Sequence, residues 1–123
     1  MVRRNRGFTL MELLIVLALI SLLAGIVGPM ISQSIHRSRE AALKENLFVM
    51  RKAIDDFYAD RGAYPGDLQK LVEHRYLRAI PEDPLTERVD SWVTENAEDG
   101  EGMVDVRSGA EGQDGDGKSY RNW

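Results

Sequence analysis

Two carboxylate settings in this 123-residue sequence are placed to do chemistry. Near the C-terminus, Glu111, Asp114 and Asp116 alternate with Gly112, Gly115 and Gly117. A hard cation such as Ca²⁺ takes about six to eight oxygen ligands in a flexible cage, and glycines let main-chain carbonyls turn inward to complete it. The stretch has no Glu at the last position of an EF-hand loop, and a merely solvated acidic loop has the same composition. The second setting is Glu12, at the edge of a run from Leu13 to Ile35 that carries no formal charge. A carboxylate in hydrocarbon costs roughly 2.5–3.5 kcal/mol on insertion scales. Glu12 therefore requires either the headgroup region or a dedicated positive partner.

Other chemistry finds no residues to carry it. There are no cysteines, so a disulfide scaffold, a thiol nucleophile and cysteine-ligated zinc are excluded. His36 and His74 stand far apart and read as surface residues. No nucleophile elbow or phosphate-cradling glycine loop appears, and the chain reads as a non-enzyme. The formal net charge of −4 conceals a split. Arg3, Arg4 and Arg6 begin the chain, whereas 12 acidic and 2 basic residues lie between Glu82 and Asp116. That local excess of negative charge repels phosphates and argues against a nucleic-acid partner.

These groups must be positioned by few elements. Leu13–Ile31 is 19 residues, or ~28 Å of helix, close to the ~30 Å hydrocarbon thickness of a bilayer. It predicts a membrane-spanning helix, with the leading arginines favouring a cytoplasmic N-terminus and Arg37 and Arg39 weakening the asymmetry. Gly28-Pro29 interrupts the run, either as a tolerated kink or as a segment that bends or melts on assembly. Farther on, Leu43, Leu47, Met50, Ile54 and Phe57 recur at helical spacing, with Arg51, Lys52, Asp55 and Asp56 on the opposite face. One helix from Phe8 to about Arg61 would be ~80 Å long. A turn at Ala63-Tyr64-Pro65-Gly66, with Gly66 free to take positive φ, leads to a short helix, Leu68–His74, capped by Asp67. After a Pro-punctuated connector, Ser91–Glu95 and Met103–Arg107 read as strands joined by a hairpin loop, with Trp92, Tyr120 and Trp123 as core anchors.

The string Gly7-Phe8-Thr9-Leu10-Met11-Glu12, set between a basic leader and an apolar helix, resembles a type IV prepilin. The resemblance implies cleavage by a prepilin peptidase between Gly7 and Phe8, N-methylation of Phe8, and a role for Glu12 in subunit assembly. Cleavage creates an amine one helical turn from Glu12, which in a filament meets the Glu12 carboxylate of a neighbour. A charge pair in an apolar core is far better than either charge alone. The connector Tyr76-Leu77-Arg78-Ala79-Ile80-Pro81-Glu82-Asp83-Pro84 resembles that of the G-type, or major, pseudopilins of type II secretion. So do Val104-Asp105-Val106, Ser108 to Gly112 and the final Asn122-Trp123.

That likeness implies an α+β fold: a long N-terminal helix, transmembrane then amphipathic, packed on a small antiparallel sheet of three strands. It divides the chain into a cleaved leader (1–7), a transmembrane and filament-core helix (8–35) and a periplasmic domain (36–123). It also implies a calcium loop, with Ser108, Glu111, Asp114 and Asp116 as metal ligands, although Glu111 stands where Asp is more usual. The expected function is a structural subunit of a pseudopilus that polymerises from the inner membrane into the periplasm and helps export folded proteins. Its expected partners are copies of itself in a helical filament, minor pseudopilins, the inner-membrane assembly platform, the prepilin peptidase and the membrane, with no nucleic acid. The alternatives are a major or minor type IV pilin for adhesion, motility or DNA uptake, and a membrane-anchored calcium-binding module that never polymerises.

Overall fold

The computed structural model describes residues 6–123. Residues 1–5 of the basic leader, with Arg3 and Arg4, lie outside the described residues. The first element is a single helix, α1 (Leu10–Arg61). Two compact units divide it, one up to His36 and one from Arg37 to Trp123.

In the first unit the helix runs through Pro29 unbroken. Every side chain from Leu13 to Ile35 is exposed. An 18-residue stretch of α1 has a mean hydropathy of 2.7, long and apolar enough to cross a membrane.

In the second unit the expected stripe becomes the core. Leu43, Leu47, Met50, Ile54 and Phe57 are all buried, joined by Ala53. Arg51, expected on the solvated face, is a correction. Its guanidinium reaches Asp105 Oδ1 (2.8 Å), the Val106 carbonyl (3.1 Å) and the Trp123 main-chain oxygen (2.7 Å). A long arginine stem can lie along apolar surface while its head finds acceptors, so a position beside the stripe need not point to water. Helix α1 ends where Gly62 takes φ +68° and its N–H bonds to the Tyr58 carbonyl at 2.8 Å. The positive φ therefore falls at Gly62 and not at Gly66.

Helix α2 (Leu68–Glu73) is short and capped by Asp67, whose carboxylate accepts from the Lys70 N–H at 2.9 Å. It buries Leu68 and Leu71, while Val72 is half-buried. Strands β1 (Val93–Asn96) and β2 (Met103–Arg107) form an antiparallel pair with an irregularity between Glu95 and Asn96. Trp92 lies just before β1 rather than inside it, and its indole N–H donates to the Pro81 carbonyl at 2.7 Å. Tyr120 opens a 3₁₀ turn (Tyr120–Asn122) and is buried, and Trp123 packs half-buried on the core.

The expected third strand is absent among the described residues: the sheet has two strands, besides isolated bridges Asp83–Arg88 and Gln113–Ser119. The cause is local. Asp83 Oδ1 accepts from the N–H groups of Leu85 (2.8 Å) and Thr86 (3.4 Å), and Pro84 has no N–H at all. The segment before β1 thus engages its donors in a turn, leaving few for a ladder.

Within the sheet Glu95 faces Asp105, a like-charge pairing that destabilises by itself. Arg107 lies 3.1 Å from Glu95 and 3.7 Å from Asp105, and Arg51 completes the neutralisation.

Two features of this packing are testable. A methyl group at Gly109 would overlap the main-chain oxygen of Ser91, which cannot swing away as a side chain can. Gly109→Ala should cost about 1–3 kcal/mol, read as a lower midpoint in chemical unfolding. Tyr120 donates its hydroxyl to Glu40 at 2.7 Å, and burial, reinforced by that carboxylate, pushes its pKa up to about 12. An unfolded tyrosine titrates near about 10. The stabilisation is thus complete below about pH 10 and lost as pH rises towards 12. Melting temperature should fall through this window, and Tyr120→Phe should fall less steeply.

Candidate functional site

The N-terminal motif is built on a helix start. Gly7 and Phe8 precede α1, and Phe8 is 86% exposed. Thr9 caps the helix: its carbonyl accepts from the Leu13 N–H and its hydroxyl from the Glu12 N–H, each at 3.1 Å. Glu12 stands in the first turn, where the partial positive charge of the helix end favours a carboxylate. Gly7, Phe8 and Glu12 are thus held together in one short segment, with the Gly7–Phe8 bond outside the helix and Glu12 inside it. Thr9 was not singled out from the sequence, although Thr9-x-x-Glu12 has the spacing of a capping box.

The C-terminal loop is organised differently from the expectation. Asp114 Oδ1 accepts from the main-chain N–H groups of Asp116 and Lys118, both at 2.9 Å, and Oδ2 accepts from the Trp123 indole N–H at 3.0 Å. These donors, the Lys118 N–H first among them, hold the Asp114 carboxyl below the usual carboxylate range. Glu111 extends to Arg121 at 3.7 Å and its side chain is 92% exposed. Ser108 is buried; its hydroxyl donates to Asp83 Oδ2 at 2.5 Å and accepts from the Ala110 N–H at 3.0 Å.

Ser108, Glu111, Asp114 and Asp116 are therefore not brought together. Among the described residues no three His, Cys, Asp or Glu side chains converge to hold a metal ion. The Ser108 hydroxyl and both Asp114 oxygens are already engaged and Glu111 extends away to Arg121, so the four as folded do not form the cage of oxygens that calcium takes. Asp83 is the residue the sequence reading passed over. A carboxylate with 0% exposure would be costly alone, but three hydrogen bonds satisfy it. Its signal was the Pro81-Glu82-Asp83-Pro84 turn, where an Asp can bond to N–H groups just ahead.

Comparison with known proteins gives this geometry its setting. Residues 2–28 match the family described as the prokaryotic N-terminal methylation motif. The type II secretion system core protein G of Klebsiella pneumoniae is 29% identical over 98 residues, covering 67% of this chain and 70% of that protein. Its namesake in Vibrio cholerae is 24% identical over 143 aligned positions, covering 98% and 93%. The type IV major pilin protein PilA of Myxococcus xanthus is 41% identical over 61 residues, but the match spans only 28% of that protein. No solved structure matches the chain. The likeness to that pilin covers half of this chain, whereas the likeness to the Vibrio core protein G covers nearly all of it. The chain thus begins with the prokaryotic N-terminal methylation motif and, over most of its length, is similar to the core proteins G of type II secretion systems.

Proposed function

We propose that this protein is the structural subunit of a type II secretion pseudopilus, which polymerises from the inner membrane into the periplasm and helps move folded proteins outward. One observation carries the reading. A Gly7–Phe8 bond lying outside the helix is joined to an apolar helix face that nothing in the described chain covers, with Glu12 at its edge. In a membrane the lipid covers that face; in a filament other copies of the same helix do. A simple anchor needs neither a processed amine nor a carboxylate beside it.

The finer steps belong to the same proposal. A prepilin peptidase cuts after Gly7 on the cytoplasmic side, Phe8 is N-methylated, and residues 36–123 stand in the periplasm. The subunit then leaves the bilayer through an inner-membrane assembly platform, beside minor pseudopilins. Removing residues 1–7 takes away three arginines and leaves a more acidic subunit. The closer pilin identity over 61 residues favours a second reading, a type IV pilus subunit, and the two differ in phenotype. Deleting the gene in its host should abolish export of folded proteins and leave surface pili and motility intact; the reverse result selects the pilus.

Processing and pairing are separately testable. Intact mass of the protein from assembled filaments should show loss of residues 1–7 and gain of one methyl group, and an unprocessed chain in that material would overturn the assignment. For Glu12, glutamine is the informative change, because it preserves the reach of a capping-box side chain while removing the charge. Breaking one side of a buried ion pair costs about 3–5 kcal/mol, more than a hundredfold in an association constant. Glu12→Gln should therefore leave membrane insertion and cleavage intact while filament yield, counted by electron microscopy, collapses. Wild-type yield would show that the cap, not the charge, is what assembly needs.

A further inference from the structure

Asp114, at the centre of the acidic loop near the C-terminus, already has partners for both its carboxylate oxygens. We propose that Glu111–Lys118 closes without a metal ion: Asp114 takes the central position, and cations of this chain supply the positive charge. Three observations converge on this. Both carboxylate oxygens of Asp114 are engaged, by two main-chain N–H groups and the Trp123 indole, so an ion placed there would have to displace Trp123.

The surrounding charge is balanced as well. Lys44 and Lys118 line the same recess as Asp114 and Asp116, and Arg121 lies 3.7 Å from Glu111. Arg51, which lines the recess too, is paired with Asp105 at 2.8 Å. A divalent ion entering that recess would meet two ammonium groups. Finally, the turn is closed by its own backbone. The Asp114 N–H bonds to the Lys118 carbonyl at 2.9 Å, and Gly112 and Gly117 adopt φ of +107° and +81°. The chain end is then seated from α1: Lys44 Nζ lies 4.8 Å from the centre of the Trp123 ring, and Arg51 holds the Trp123 main-chain oxygen.

The test uses the full chain in detergent micelles, melted in chelator and in millimolar CaCl₂, beside calorimetric titration with CaCl₂. An ion binding the folded state at a hundredfold its Kd would raise the melting temperature of a domain this size by roughly 10–20 °C. The expected result is coincident melts and no saturable heat. A calcium-dependent rise of that size, or a saturable binding isotherm, would overturn the proposal. Asp114→Asn cannot accept from the Trp123 indole as before, and it should lower the melting temperature by about 5 °C equally with and without calcium. An unchanged melt for Asp114→Asn would remove Asp114 from the central position. If that variant does not fold, the wild-type melts decide between metal and no metal. Any of these results leaves filament assembly to be judged by the export and filament assays.

Discussion

From Leu13 to Ile35 every side chain is exposed in the isolated chain, and fully burying one Leu, Ile or Val is worth about 1.5–3 kcal/mol. A whole run of them outweighs the net stability of an ordinary domain, about 5–15 kcal/mol. Nothing in the second unit could repay leaving that surface in water. The subunit therefore exists in an environment that covers it, lipid or other subunits, and the remainder of the chain is arranged around that requirement. The transfer between those environments is nearly neutral for apolar side chains, since lipid tails and packed leucines are equally dry. What distinguishes the two environments must come from polar groups on the helix and from contacts of the second unit.

That domain has little core with which to hold itself. Its 14 buried hydrophobic residues come from α1, α2, the connector, Trp92 just before β1, β2, Ala110 after it and the last turn. With so few, polar ties do much of the positioning. Arg51 joins the helix to β2 and to the last residue. Asp83 and Ser108 join the connector to the residue after β2, both fully buried and both satisfied. Asp114 closes the last loop. The Arg51 and Asp83 ties link elements far apart in sequence, the work that disulfides do in a chain that has cysteines. Losing one partner would leave a desolvated group, a larger penalty than the bond's net worth.

Where the physics is periodic, the sequence was sufficient. The spacing of Leu43, Leu47, Met50, Ile54 and Phe57 placed the buried face of α1, Asp67 placed the start of α2, and Met103–Arg107 placed β2. What escaped was decided by individual hydrogen bonds. Arg51 looked like a solvated charge because periodicity cannot see that its stem lies inward towards Asp105. Trp92 looked like a strand residue, but β1 begins one position later. The missing third strand turned on Asp83 bonding its own neighbours. In the C-terminal loop, composition counts carboxylates but not their direction: Asp114 faces N–H donors, Ser108 faces Asp83, and Glu111 extends towards Arg121. The N-terminal motif was legible for the opposite reason, since it is a contiguous string, matched as such over residues 2–28, rather than a product of folding.

Glu12 shows how a single carboxylate can separate the membrane state from the assembled one. Within its own subunit it has the helix N-terminus, and its N–H is satisfied by Thr9. A carboxylate in the first turn gains about 0.3–1 kcal/mol from the helix end at an exposed site. Placing it in hydrocarbon costs roughly 2.5–3.5 kcal/mol. The local cap thus recovers only part of the cost, and about 2 kcal/mol is left for something outside the subunit to cancel. In lipid that residue of cost is reduced by keeping Glu12 near the headgroups, which pins the depth of the helix. In the pairing proposed above, a neighbour's Phe8 amine would cancel it instead. The same side chain that is a penalty in the bilayer would then mark register between subunits, which an apolar face cannot do by itself.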